Sequence, residues 1–240
     1  MKCNRRGILR AAAAISAHLA LGAFPLSAYG NNSKMKIGVV GSGRVGGTLG
    51  GVWVKKGHEV MFSSRNLAHD KELAAKLGPK ARAGTPREAA AFGEVLLVSV
   101  PYGALPDVGK DLAGLLKGKV VIDTCNPFPG RDGEIAEWAR KKGAGVASAE
   151  LLPGARLVRA FNAVGAHRMG SVHEEPGRVG MPIAGDDAKA IEVASRLIRD
   201  IGFEPVLVGG LAMGRHLMPG TPLAGEHSPA ELRKIAATLK

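Results

Sequence analysis

From Met35 onward, short continuous apolar runs alternate with stretches that are apolar on one side only. Ile37-Gly38-Val39-Val40, Val60-Met61-Phe62, Val95-Leu96-Leu97-Val98 and Val120-Val121-Ile122 lack the polar alternation of half-exposed strands, and read as strands covered on both faces in a parallel sheet. Between them Val45, Leu49 and Val52 recur at helical spacing, and segments 67–77, 103–116 and 134–142 have the length of crossover helices. Repeated β-α units predict a Rossmann-like, doubly wound parallel α/β sheet with right-handed connections. Leu157-Val158-Arg159-Ala160-Phe161 is a further strand-like run that closes a domain over 35–160. A small C-terminal α/β lobe is predicted over 161–240. It has a strand at Met181–Ala184, a helix from Asp187 to Asp200 with Ile191, Ala194, Leu197 and Ile198 on one face, and a strand at Pro205–Val208. Ser228-Pro229-Ala230-Glu231 then combines a capping box with proline at the first helical position, opening a last helix with Leu232, Ile235, Ala236 and Leu239 inward. No repeat or long low-complexity linker separates the two parts, which predicts that they pack tightly.

Composition narrows this picture. A chain of 240 residues that is 45% hydrophobic is not a disordered tail, and its length suits one α/β domain with a modest appendage. Aromatic residues make up only 4%, so the core is built from Ala, Val, Leu and Ile. The 34 glycines are about twice the ordinary share of roughly 7%, which implies backbone held close to other backbone or to a ligand.

The net charge of +12 suggests nucleic acid until its location is considered. Lys2, Arg5, Arg6 and Arg10 lie in the first ten residues without an acid, and the remaining bases are mixed with acids and form no basic-and-aromatic stacking surface. Nucleic acid is not an expected partner. The adjacent Arg5-Arg6, followed by the moderately apolar Ala11–Ala28, resembles a twin-arginine export signal over 1–30, cleaved near residues 28–30. The expected location is therefore periplasmic or otherwise extracytoplasmic, with the twin-arginine translocase as partner during export. Cys3 leaves with such a leader, and Cys125 alone forms no internal disulfide. Six histidines follow the leader without metal-ligand spacing, so no metal site is expected; His216 and Cys125 carry no assigned role.

The chemistry concentrates at strand ends. Gly41-Ser42-Gly43-Arg44-Val45-Gly46 follows the first strand and opens the first helix, the context that makes G-x-G-x-x-G a dinucleotide fingerprint. Gly41 permits the turn, Gly43 admits the pyrophosphate, and Gly46 lets helix and strand approach. At the end of the second strand an NAD site places an acid for the ribose 2′-hydroxyl, whereas this chain has Ser63-Ser64-Arg65. A guanidinium with flanking hydroxyls suits a 2′-phosphate, so NADP(H) is favoured over NAD(H). Arg44 either assists that phosphate or faces solvent. Val100-Pro101-Tyr102 and Asn126-Pro127 end two further strands that point into the same crevice, as cofactor walls or as strand-end punctuation.

Taken with Arg159-Ala160-Phe161-Asn162-Ala163-Val164 and Pro182-Ile183-Ala184-Gly185-Asp186-Asp187, these motifs resemble the NADP oxidoreductases that work with coenzyme F-420. They are also similar to the reductase domain of the six-transmembrane metalloreductases. The resemblance spans about Met35 to Pro222. It implies that Ser64 and Arg65 meet the 2′-phosphate, that Pro101 and Tyr102 lie near the cofactor, and that Asn162, Ala163 and Val164 line the hydride-transfer face. The activity implied is hydride transfer between NADP(H) and a deazaflavin (coenzyme F-420) or flavin acceptor, with a ferric chelate as a further candidate for the final electron acceptor, without a side-chain acid–base pair. The chain departs from the family pattern at Arg215-His216-Leu217-Met218, where relatives often carry an acid after Arg-x-Leu, so the acceptor pocket is the least transferable part. Two rivals remain. One is a pyrroline-carboxylate reductase or 3-hydroxyacid dehydrogenase relative, which would need a large helical domain after the sixth strand. The other is an exported dinucleotide-binding protein without turnover. A homodimer is compatible with either and is not specified by the residues.

Overall fold

The continuous apolar runs become the middle of an eight-stranded sheet in the computed structural model, which describes residues 34–239. In chain order the elements begin with β1 (Lys36–Val40), α1 (Arg44–Lys55), β2 (Glu59–Ser63), α2 (Leu67–Leu77), β3 (Ala81–Ala83), α3 (Pro86–Phe92), β4 (Val95–Val98), α4 (Leu105–Leu116) and β5 (Val120–Asp123). Then follow α5 (Pro129–Asp132), α6 (Glu134–Lys142), α7 (Ala144–Leu151), β6 (Arg156–Arg159), α8 (Ala166–Met169), β7 (Gly180–Gly185), α9 (Ala188–Ile201), β8 (Glu204–Gly209) and α10 (Pro229–Thr238). The sheet order is β3-β2-β1-β4-β5-β6-β7-β8. The winding reverses between β1 and β4, so a crevice is expected beyond their carboxyl ends.

The fold is the expected Rossmann-like α/β arrangement, with Ile37, Val39, Leu97 and Ile122 fully or almost fully buried in the central strands. Helices 67–77 and 134–142 form at the expected limits, and the Ser228 capping box is present. The signal-peptide reading of residues 1–30 lies outside the described residues. No described helix is long and apolar enough to cross a membrane.

The C-terminal strands and helices form close to their expected positions, but as part of the same sheet. The lobe predicted from residue 161 does not stand apart: β7 pairs antiparallel with β6, Val158 opposite Gly185, and β8 runs parallel to β7, extending one sheet. The indole Nε1 of Trp53 in α1 donates to the Leu197 carbonyl in α9 at 2.9 Å, tying this region to the first helix. The strand predicted over 157–161 ends at Arg159. Phe161 instead takes a left-handed φ of 65°, and its ring packs edge-on to both Trp53 and Phe203, with centroids 6.5 Å and 6.1 Å away. Burying that ring between two others offsets a backbone conformation unusual for a bulky residue.

Candidate functional site

Each fingerprint glycine has a separate reason to be glycine. Gly41 has φ +99°, and a Cβ there would lie 2.2 Å from the Ser99 carbonyl oxygen. A Cβ on Gly46 would lie 2.1 Å from the Gly41 carbonyl oxygen, so this glycine lets α1 sit against the loop. A Cβ on Gly43 would meet no protein atom within 4 Å, and Gly43 is also the N-cap of α1. With no side chain to bond the first amides of α1, these donors and the positive end of the helix dipole remain for whatever fills the space beside Gly43. An anionic pyrophosphate fits that space chemically.

The second strand is locked to this loop. The Ser63 carbonyl accepts the amides of Gly41 and Ser42 at 2.8 and 3.1 Å. Two of the candidate ligands are structural in their side chains: the buried Ser63 hydroxyl donates to the Val39 carbonyl at 2.7 Å, and the buried Ser42 hydroxyl donates to Asp70 Oδ1. Val45 packs against the main core. Arg65 and Arg44 are exposed and make no hydrogen bond or ion pair with the described residues. Arg44 also borders an open cavity of about 660 Å³ with Thr48, Gly165, Ala166, His167 and Gly170.

The other strand ends only partly agree with their sequence reading. Val100 lies against Gly41, and Pro101 is exposed at the rim. Tyr102 does not face the crevice. It is wholly buried, its phenol hydrogen-bonds Ser148 Oγ at 3.1 Å and donates to the Ala144 carbonyl at 3.3 Å, and burial pushes its pKa up. Asn126 Nδ2 donates to the Asn162 carbonyl at 2.8 Å, joining two candidate positions, while Pro127 is buried behind them. Val164 packs into the core, and the Ala163 carbonyl accepts the Gly225 amide, so of the proposed hydride-transfer face Asn162 alone offers a polar atom without a partner. Cys125 is buried, and burial raises its thiol well above the usual range, so it is an inert neutral thiol. No metal-binding cluster occurs among the described residues.

With this geometry in view, residues 36–127 match the family described as NADP oxidoreductase, coenzyme F420-dependent. This match spans well under half of the 240 residues. The F420-dependent NADP reductase of Methanothermobacter thermautotrophicus is 29% identical over 203 residues, covering 79% of this chain and 87% of that protein. The rat metalloreductase STEAP3 is 29% identical over 185 residues, covering 76% of this chain but 35% of its own length, so this chain spans about a third of it. A solved hypothetical protein from Sinorhizobium meliloti superposes with a TM-score of 0.69 at 23% identity, over 82% of this chain and 95% of that one, and supports the fold.

Residues 36–127 and the segment after them share a feature that the strand-end reading did not find. Asp123 ends β5, Arg159 ends β6, and the two are register partners with no exposed surface. Arg159 Nη1 donates to Asp123 Oδ2 at 2.6 Å, to the Cys125 carbonyl at 3.1 Å and to Ser148 Oγ at 3.3 Å, while Asp123 Oδ1 accepts the Cys125 amide at 2.7 Å. The pair therefore fixes the Cys125-Asn126 loop. Among the described residues the buried side-chain polar atoms without a partner are Arg159 Nε, Asn162 Oδ1 and His216 Nε2. Two apolar runs that each end in a buried charge of opposite sign were the available signal. Asp70 was also missed: it lies six residues past Ser64, in the first turn of α2, and its carboxylate is buried under the fingerprint loop.

Proposed function

We propose that this chain is an NADP(H)-dependent oxidoreductase that transfers a hydride between NADP(H) and a flat flavin-like or deazaflavin (coenzyme F-420) acceptor. The observation that carries the reading is the open space beside Gly43, at the uncapped start of α1, within the segment that matches the NADP oxidoreductase family. In this assignment the first amides of α1 hold the pyrophosphate, Arg65 meets the 2′-phosphate with Arg44 at the other side, and Asn126 and Asn162 border the nicotinamide. When bound, NADP(H) supplies the hydride. The protein's part is to orient the rings, exclude water and keep the Asn126 loop rigid through Asp123 and Arg159.

The pyrroline-carboxylate reductase and 3-hydroxyacid dehydrogenase reading is less well supported, because strands β7 and β8 continue the sheet where a large helical domain would be needed. We further propose export by the twin-arginine route with the dinucleotide loaded beforehand; denaturing the exported protein should release NADP(H). The test of the activity is loss of reduced-nicotinamide absorbance with coenzyme F-420, FMN, FAD and a ferric chelate offered in turn. Turnover with coenzyme F-420 or a flavin, faster with NADPH than with NADH, is the expected result. Nucleotide binding without oxidation by any acceptor would favour a binding protein.

A further inference from the structure

We infer that Asp70 is a specificity-determining residue that holds down the preference for a 2′-phosphate over a 2′-hydroxyl. The inference rests on the dinucleotide reading above and deepens it. Asp70 is fully buried, and it joins the two loops that meet the adenosine half of a dinucleotide. Ser42 of the fingerprint loop donates its hydroxyl proton to Asp70 Oδ1, and Ser64 of the loop after β2 donates its own to Oδ2 at 2.8 Å. His69 Nδ1 lies 3.3 Å from Oδ1 on the exposed side.

A serine hydroxyl has one proton and two lone pairs. The Ser64 proton has a second acceptor, the Asn66 carbonyl at 3.3 Å, but the carboxylate is closer and charged, and it wins. One Ser64 lone pair accepts the Asn66 amide at 3.1 Å. What Ser64 can offer a ligand is therefore a single lone pair and no proton. That suits a ribose 2′-hydroxyl, which can donate to it, and gives a phosphate nothing to accept. The Ser42 proton is likewise committed to the carboxylate. The carboxylate itself carries a negative charge that neutral hydroxyls share but do not cancel. Directly beside Ser64 the exposed Arg65 supplies a charged donor suited to a 2′-phosphate. The site thus combines a guanidinium that favours NADP(H) with a buried acid that opposes it, and it should accept both nucleotides with a modest preference for the phosphorylated one.

Calorimetric titration of the purified protein with adenosine 2′,5′-bisphosphate and with adenosine 5′-monophosphate isolates this half of the site from hydride transfer. Asp70→Asn should raise the preference for the bisphosphate about tenfold, chiefly by tightening it, because the amide removes the charge and releases a serine proton. Ser64→Ala should change bisphosphate affinity by less than about twofold in the wild-type background and should erase part of the gain in the Asp70→Asn background. An unchanged or lower preference in Asp70→Asn would overturn the inference, as would a large loss of bisphosphate affinity in Ser64→Ala alone, which also decides the matter if Asp70→Asn fails to fold. If neither nucleotide binds the wild-type protein, the dinucleotide reading itself fails.

Discussion

Asp70 and Asp123 are both fully buried beside the crevice, and their surroundings satisfy them in opposite ways. Asp123 faces a guanidinium in register on the next strand, so the pair is close to neutral and is held by four further polar contacts. Asp70 is held by hydroxyls and a half-exposed imidazole, and contributes net charge to the loops around it. A neutral, mutually bonded pair builds a rigid frame; a buried charge satisfied by hydroxyls influences what binds nearby. The largest expected effect tests the first half of that contrast. Arg159→Met strands the Asp123 carboxylate without a cation and should lower unfolding free energy by about 3–5 kcal/mol in urea denaturation. Adding Asp123→Asn to the same chain should restore part of the loss. A single-variant loss below about 1 kcal/mol would show that the pair is not the frame.

The fingerprint loop offers the next comparison, between glycines required by the fold and one beside open space. Gly41→Ala introduces a side chain at φ +99° and against the Ser99 carbonyl oxygen, and the backbone strain alone should cost about 1–3 kcal/mol of stability. Gly43→Ala meets no protein atom and should leave stability within about 0.5 kcal/mol while weakening nucleotide binding by calorimetry. Equal losses of stability in the two variants would remove the argument that the space beside Gly43 is kept open for a pyrophosphate.

That loop was legible in the sequence because its information is local: three glycines, the strand before and the helix after lie within a dozen residues. Helices α2, α6 and α10 were legible for the same reason, through their length, periodicity or caps. The Ala-rich α7 was not, because it is buried at Ala144, Gly145, Ala147 and Ser148, on several sides, and shows no polar face. Tyr102 and Val164 were placed at the site because they follow strand ends, but position along the chain does not say which way a side chain points. The Asp123–Arg159 pair depends on register between strands 36 residues apart, and Asp70 depends on α2 folding back under the loop. Neither is written in any short window.

Arg65 tests the electrostatic side of the contrast with Asp70. Because the guanidinium is exposed and screened, Arg65→Ala should weaken NADPH by only about tenfold, roughly 1.4 kcal/mol, and leave NADH nearly unchanged. Parallel losses for the two nucleotides, measured by quenching of protein fluorescence, would move the 2′-phosphate away from Arg65.

The smallest effect comes from the other end of β6. Arg156 opens that strand as Arg159 closes it, and its guanidinium makes two bonds to Asp187 at 2.5 and 2.8 Å, in a setting about a third exposed. The Arg156 hydrogen bond, followed by the Ala190 amide at the start of α9, holds the Asp187 carboxyl well below its ordinary value of 3.8. A depressed folded-state value means that the contribution is present above about pH 4 and fades as pH falls through the folded value, because protonation ends the charged hydrogen bond. Water screens this pair, so Asp187→Asn should shift the melting temperature far less than Arg159→Met does. The gap between Asp187→Asn and the wild type should stay constant from about pH 7 to pH 5 and shrink toward pH 2. A gap that widened in acid would reverse the sign of this linkage. If Asp187→Asn matched Arg159→Met at neutral pH, burial would not be what separates the two ends of β6.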